Sequence, residues 1–360
     1  MKQKTLLISL LGLSVACAFG QTPAPSCKPS AQEAAPGAGG GGRAAGRGRQ
    51  GGTPAAQPAP RKLEISAIPG VVAAGGKWTK IWQAGGNSAD GIIPDKNGNV
   101  LVAQEDFDTV LRIDADGKSS VAVADAKGIG SVSMDPKGQL YGAHRTERAG
   151  STKADKDSIV NAITLLTPGR KTLAEKWTDG TALTVRPNDL TSDGKGGAYF
   201  TASCLYYASP KGVEVEADNL RTNGIVFSPD GKTLYVTNGG SLVAFDVKGP
   251  GMLTNRRDFA KLPEGSNGDG MVVDTQGRLY VTANPGLQVF DKTGMYLGLI
   301  PTPRGVISVT FAGRDRKTLY VVGSGADDAN GQPIRQGPQQ TAATIYTLPV
   351  LAQGLKGRAK

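Results

Sequence analysis

Four oxygen-bearing side chains stand at one recurring position in this chain of 360 residues, and that recurrence is its most specific chemical signal. Short apolar runs end at Asp95, Asp193 and Asp274, and at Ser228 once a longer hairpin is allowed. Five places before these stand Asp90, Asn188, Asp269 and Asn223, while the two remaining repeats carry Gly130 and Ile307 there. A single Asp-Gly or Asn-Gly pair is ordinarily a turn former. Equivalent placement in four repeats argues instead for a shared site. Two carboxylates and two amide oxygens suit a hard divalent cation, calcium above all, which takes six to eight oxygen ligands with water completing the shell.

Other schemes find less support. His144 is the only histidine, so a His-rich zinc site is excluded and a Ser-His-Asp triad would have to use that one ring. No nucleophile elbow, Walker loop or Rossmann glycine pattern occurs in a suitable strand-to-helix setting. A lone histidine is more often structural. Because His144 follows the strand QLYGA and opens a long loop, it is kept as a candidate substrate contact.

The elements that must position these groups are short strands. In NGDGMVVDTQGRLYVTANPGLQVFDKTG (267–294), runs of four to six β-prone residues are separated by Gly, Asn, Asp and Pro, the pattern of an antiparallel meander. Its second strand recurs as NVLVA at 99, QLYGA at 139, AYFTA at 198, TLYVT at 233, RLYVT at 278 and TLYVV at 318. Successive copies start 35 to 59 residues apart, near the period of propeller blades. The expected fold is all-β, a six-bladed β-propeller with four-stranded antiparallel blades, and a β-sandwich with similar hairpins is the plainer alternative. Innermost strands line the central channel of a propeller, so the four side chains should converge at one of its mouths. The sixth blade lacks a fourth strand, whereas WTKIWQA (78–84) has no blade of its own. That N-terminal strand is expected to close the ring and remove its open sheet edges.

Residues 1–20, with Lys2, Lys4 and an apolar run from Leu6 to Val15, read as an export signal too short for a transmembrane span. A periplasmic or extracellular location follows, and Cys17 leaves a lipid anchor open. Residues 21–60 are an Ala/Pro/Gly-rich segment expected to be a disordered linker, and 61–360 form the propeller. Residues 1–76 carry eight Lys or Arg and two Asp or Glu, so +6 of the formal +10 lies there and +4 remains for the propeller. That balance gives no reason to expect a nucleic-acid partner. Cys17, Cys27 and Cys204 offer at most one bridge after cleavage, so stability must come from packing. A monomer is expected. Two long insertions, HRTERAGSTKADKDSIVN and GSGADDANGQPIRQGPQQTAA, have the length of lids or binding loops.

The stretches RPNDLTSDGKGGAYFT (186–201), LRTNGIVFSPDGKTLYVT (220–237) and GDGMVVDTQGRLYVT (268–282) resemble the regucalcin (senescence marker protein), gluconolactonase and LRE-like family, from about Asp90 to Leu348. The resemblance implies a six-bladed propeller with one metal ion on its axis and hydrolysis of a lactone ring. By it, Asp90, Asn223 and Asp269 are metal ligands, and Arg186 and Asn188 hold the substrate. His144-Arg145 resembles a His-containing strand end of bacterial relatives. This chain departs from the family at Asp90-Gly91-Ile92, where Glu-Gly-Pro is usual, at Ala202-Ser203 after YFT, and at Ser308. The implied mechanism is metal-assisted opening of a cyclic ester. Asp269 is the first candidate for general base and Asp90 the second. The competing reading is a non-enzymatic propeller that binds a sugar, a metal or a partner protein.

Overall fold

The computed structural model describes residues 27–29, 63–87, 90–147, 156–335, 337, 339, 342–357 and 360. The export signal, Cys17, most of the 21–60 linker and parts of both long insertions lie outside the described residues. Among the described residues, twenty-four strands form six four-stranded antiparallel sheets, a six-bladed β-propeller. Blade one is β2 (Ile92–Pro94) to β5 (Ser119–Val123), blade two β6 (Ile129–Met134) to β9 (Lys171–Ala174), and blade three β10 (Leu190–Ser192) to β13 (Gly212–Ala217). Blade four is β14 (Thr222–Phe227) to β17 (Met252–Lys261), and blade five β18 (Met271–Val273) to β21 (Tyr296–Pro301). Blade six joins β22 (Val306–Ala312), β23 (Thr318–Ser324) and β24 (Ala342–Pro349) to β1 (Thr79–Asn87) from the other end of the chain. The register Thr79↔Thr347 and Gln83↔Thr344 closes the ring as the unpaired WTKIWQA stretch required. The strand runs three residues beyond that stretch.

The hairpin after each innermost strand explains why the residue that follows the strand is so often aspartate. Asp95 Oδ1 accepts from the backbone N–H of Asn97 at 2.8 Å and Asn99 at 3.0 Å. Asp135, Asp193 and Asp274 repeat the pattern. Such Asx turns offer the chain a local partner just where the ladder ends. Blade four has the longer hairpin, and there the Ser228 hydroxyl accepts from Thr233 N. These turns fix the register five residues upstream, at the channel mouth.

Second strands such as Val100–Gln104 and Leu279–Ala283 are buried at every position, because each blade packs both faces against its neighbours. Successive blades share apolar layers, for example Tyr280, Leu287, Phe311, Leu319 and Leu348 between blades five and six. The inner strands adjoin one another around the ring, β2 lying against both β6 and β22.

One covalent tie reaches the propeller from the linker. Cys27 is disulfide-bonded to Cys204 across 177 residues of sequence. Tyr206 Oη donates to the Cys27 carbonyl at 2.9 Å, Thr184 Oγ1 donates to the Pro29 carbonyl at 2.8 Å, and the Lys28 ammonium lies 5.3 Å from the Trp177 ring centroid. Residues 27–29 are therefore docked on blade three, and the one bridge the cysteine count permits is formed. Among the described residues no helix is long and apolar enough to cross a membrane.

Candidate functional site

The first strand of each blade starts beside the end of its second strand, so two rows of residues meet at this mouth. Asp90 N donates to Ala103 O, Asn188 N to Thr201 O and Asp269 N to Thr282 O. The repeated threonine of YFT and YVT then clamps the inner backbone. Thr201 Oγ1 donates to the Asn223 carbonyl, Thr237 Oγ1 accepts from Asn223 N at 3.1 Å, and Thr282 Oγ1 donates to the Gly270 carbonyl at 2.9 Å. All three threonines are fully buried. The Asn223 N–H and carbonyl thus gain side-chain partners, and the Gly270 carbonyl, which also accepts from Thr282 N, gains a second bond that holds the segment after Asp269.

The glycines after these residues are needed for clearance. A Cβ on Gly224 would sit 2.1 Å from the Asp269 carbonyl oxygen, and one on Gly91 would sit 2.7 Å from Ser131 Cα. The Asn-Gly and Asp-Gly pairs therefore let neighbouring blades touch at the axis, and Gly224 brings the Asn223 segment against Asp269.

A hydrogen-bonded chain runs across the mouth. Arg145 Nη2 donates to Asp90 Oδ2 at 2.7 Å and to Glu105 Oε2 at 2.5 Å, and its Nη1 donates to Asn188 Oδ1 at 3.0 Å. Asn188 Nδ2 in turn donates to Asn223 Oδ1. Arg186 Nη2 donates to the other Glu105 oxygen, and Arg186 Nε to the Thr146 carbonyl at 2.5 Å. Burial would raise the Glu105 carboxyl, but Arg145 and Arg186 outweigh it and hold the group below the usual carboxylate range. Burial likewise disfavours charge on Arg145, and Glu105 and Asp90 overcome it, keeping the guanidinium protonated. The Arg145 side chain is 4% exposed against 27% for Arg186. Arg145 is thus a buried structural cation, whereas Arg186 can reach a ligand from the mouth.

Asp90, Asn188 and Asn223 are accordingly joined in one network, Arg186 enters it through Glu105, and Asp269 abuts Asn223 through the backbone. His144 is turned elsewhere: its Nδ1 lies 2.6 Å from the Lys127 carbonyl and its buried Nε2 has no partner. Burial depresses its pKa, which suits a neutral ring donating from Nδ1. Its neighbour Arg145 enters the site in its place. Glu105 and Arg145 were not singled out from sequence as a charged pair. The available signal was position, since both follow the end of a second strand and so lie at the same mouth.

Deeper in the channel, Asp189 stands where other blades have the glycine of the pair. Ser131 Oγ donates to its Oδ1 at 2.7 Å, Ile225 N donates to its Oδ2 at 3.3 Å, and the Lys360 ammonium pairs with Oδ1. Beyond lies a small cavity at the opposite mouth, lined by Pro94, Phe227, Val273, Phe311 and Leu355. Thr310 and Lys360 line it as well, so its wall is mixed, and the clustered carboxylates and guanidinium groups lie at the Asp90 mouth.

Comparison with known proteins bears on the fold and the family. Residues 123–325 match the family model of the SMP-30/Gluconolactonase/LRE-like region. A gluconolactonase of Zymomonas mobilis is 31% identical over 170 residues, covering 38% of this chain and 48% of that protein. Regucalcin of Gallus gallus is 28% identical over 227 residues, covering 54% of this chain and 74% of the relative. The chain thus spans about half the length of the first and about three quarters of the second. Among solved structures, a gluconolactonase from Xanthomonas campestris aligns with a TM-score of 0.61 at 23% identity, over 80% of this chain and 94% of that one. At that identity the likeness speaks for the fold.

Proposed function

The chain belongs to the SMP-30/gluconolactonase/LRE-like family, and from that premise we propose that it hydrolyses a lactone at the Asp90 mouth of its channel. The observation that carries this reading is the network Asp90–Arg145–Asn188–Asn223, set against Asp269, with Arg186 reaching outward. Similarity to a gluconolactonase supports the reaction class.

The donor chemistry fits a hard divalent ion. Asp90, Asn223 and Asp269 would hold it, and their oxygen-only set favours calcium. When bound, such an ion supplies Lewis-acid polarisation of an ester carbonyl. The chain's own residues do the rest. Asp269 takes the proton of the attacking water as general base, with Asp90 next in order. Arg186 presents a planar fork suited to a carboxylate or paired hydroxyls of the substrate. Asn188 orients the ring, and Glu105 fixes both guanidinium groups so that the mouth keeps its shape.

The protein acts outside the cytoplasm in this reading. The formed Cys27–Cys204 bridge supports that, since structural disulfides persist in oxidising compartments. A panel of sugar and aliphatic lactones, assayed with and without a chelator, tests the proposal. Hydrolysis of at least one sugar lactone that chelation abolishes is expected. No turnover of any lactone by folded, calcium-supplied protein would leave a binding propeller as the better reading.

A further inference from the structure

The blade-two position in the ring of candidate ligands is Gly130, and the space of its missing side chain is not empty. A Cβ there would lie 2.4 Å from Arg145 Cζ and 2.4 Å from its Nε. The guanidinium therefore passes over Gly130, and any larger residue would exclude it. Of the oxygens that could bind an ion, Asp90 Oδ2 and Asn188 Oδ1 both accept from Arg145. Turning Asn188 Oδ1 toward Arg145 leaves its amide Nδ2 facing Asn223 Oδ1, so an N–H group caps a third oxygen.

We propose that Arg145 is a tethered cation that competes with the divalent ion for Asp90 and, by turning the Asn188 amide N–H onto Asn223 Oδ1, masks a second ligand, holding the site in a low-affinity state. The proposal rests on the reading that this mouth takes such an ion. Charge favours the competition. Asp90, Glu105 and Asp269 supply three negative charges, and Arg145 and Arg186 supply two positive ones. Neutralising Arg145 doubles the net negative charge left at the mouth, from one to two, and so matches a divalent ion. Entry of an ion in the native protein requires Asp90 to loosen its bond to Arg145 and the Asn188 amide to turn over. Both changes reverse when the ion leaves, so binding is weak and sensitive to ion concentration.

The test is calcium binding by calorimetry on the full chain. Arg145→Met is expected to bind calcium at least tenfold more tightly than the native protein, and Arg145→Met with Asp90→Asn to lose that gain. Arg145→Lys keeps the charge and should stay within threefold of the native value. Because removing a buried cation can unfold the chain, the native protein supplies a second measurement. With isotope-labelled arginine, the Arg145 guanidinium resonances should shift on saturation with calcium. Folded Arg145→Met that binds calcium no better than the native chain overturns the proposal, as do Arg145 resonances that stay fixed at saturating calcium. Lactone turnover enters none of these readouts, so failure of the lactonase reading is a separate result.

Discussion

Gly224→Ala tests whether blade contact at the axis sets the geometry of the site. Its Cβ would lie 2.1 Å from the Asp269 carbonyl oxygen, 2.9 Å from the carbonyl carbon and 3.0 Å from Gly270 Cα. All three are backbone atoms, so no side chain can swing away. Real Cβ contacts essentially never fall below 3.0 Å, so the Asp269 segment must retreat by roughly 1 Å. Thr282 clamps that segment through Gly270, and the shift therefore strains a buried hydrogen bond as well. Overpacking of this kind costs about 1 to 3 kcal/mol. A displacement near 1 Å at a reacting group costs about 10²-fold in rate. Chemical denaturation and lactone turnover measure the two effects. Gly240→Ala is the matched control in the same blade, since its Cβ would meet only the Ser266 carbonyl oxygen, at 3.8 Å. Native stability in Gly224→Ala would refute the clearance argument whatever the activity.

Three further outcomes are expected. Deleting residues 79–87 leaves β24 without its outer partner and should lower the melting temperature far more than Cys204→Ser does; equal effects would count against ring closure by β1. Asp269→Asn keeps a side-chain oxygen and loses the base, so turnover should fall by about 10²- to 10⁴-fold without rescue by excess calcium, and full activity would reduce Asp269 to a ligand. Burial lowers the His144 pKa below its usual 6.5, so the unfolded chain binds the proton first and stability falls as the pH drops through 6.5, by at most about 1.4 kcal/mol per pH unit. Glu216, raised to about 7 by burial and then by Glu214, loses stability in the opposite direction as the pH rises. Urea denaturation of native and His144→Gln protein between pH 5.5 and 7.5 isolates the histidine, and identical slopes would contradict it.

Much of this molecule was legible in the sequence because its units repeat. The register of each innermost strand is tied to an Asx turn, so counting back five residues from Asp95, Asp193 or Asp274 finds a side chain at the channel mouth. The same count found the glycine at 130, yet it gave no hint that Arg145 lies over it. Arg145 and Glu105 leave the second strands of neighbouring blades and meet only across the seam between them, a contact that periodicity within one blade does not encode. The glycines after Asp90, Asn223 and Asp269 were visible as turn formers, but their reason is contact between blades, which requires the closed ring to be seen. His144 had the right address and the wrong direction: the strand end was correct, and its ring faces Lys127.

The β1–β24 pairing also imposes a timetable on synthesis. Gln83 and Thr344, which pair across that seam, are 261 residues apart. At roughly 5 to 20 residues per second, β1 emerges some 13 to 50 s before its partner exists. Blades one to five can condense in order as they leave the ribosome, while TKIWQAGGN waits outside as a lone strand. Its composition suits the wait. Lys80 and Gln83 interrupt the apolar residues, and Gly85 and Gly86 weaken its tendency to pair elsewhere. Among the described strands β24, which completes the ring, is therefore made after all the others, and a chain stalled before Ala342 carries an unclosed arc however well its other blades have packed.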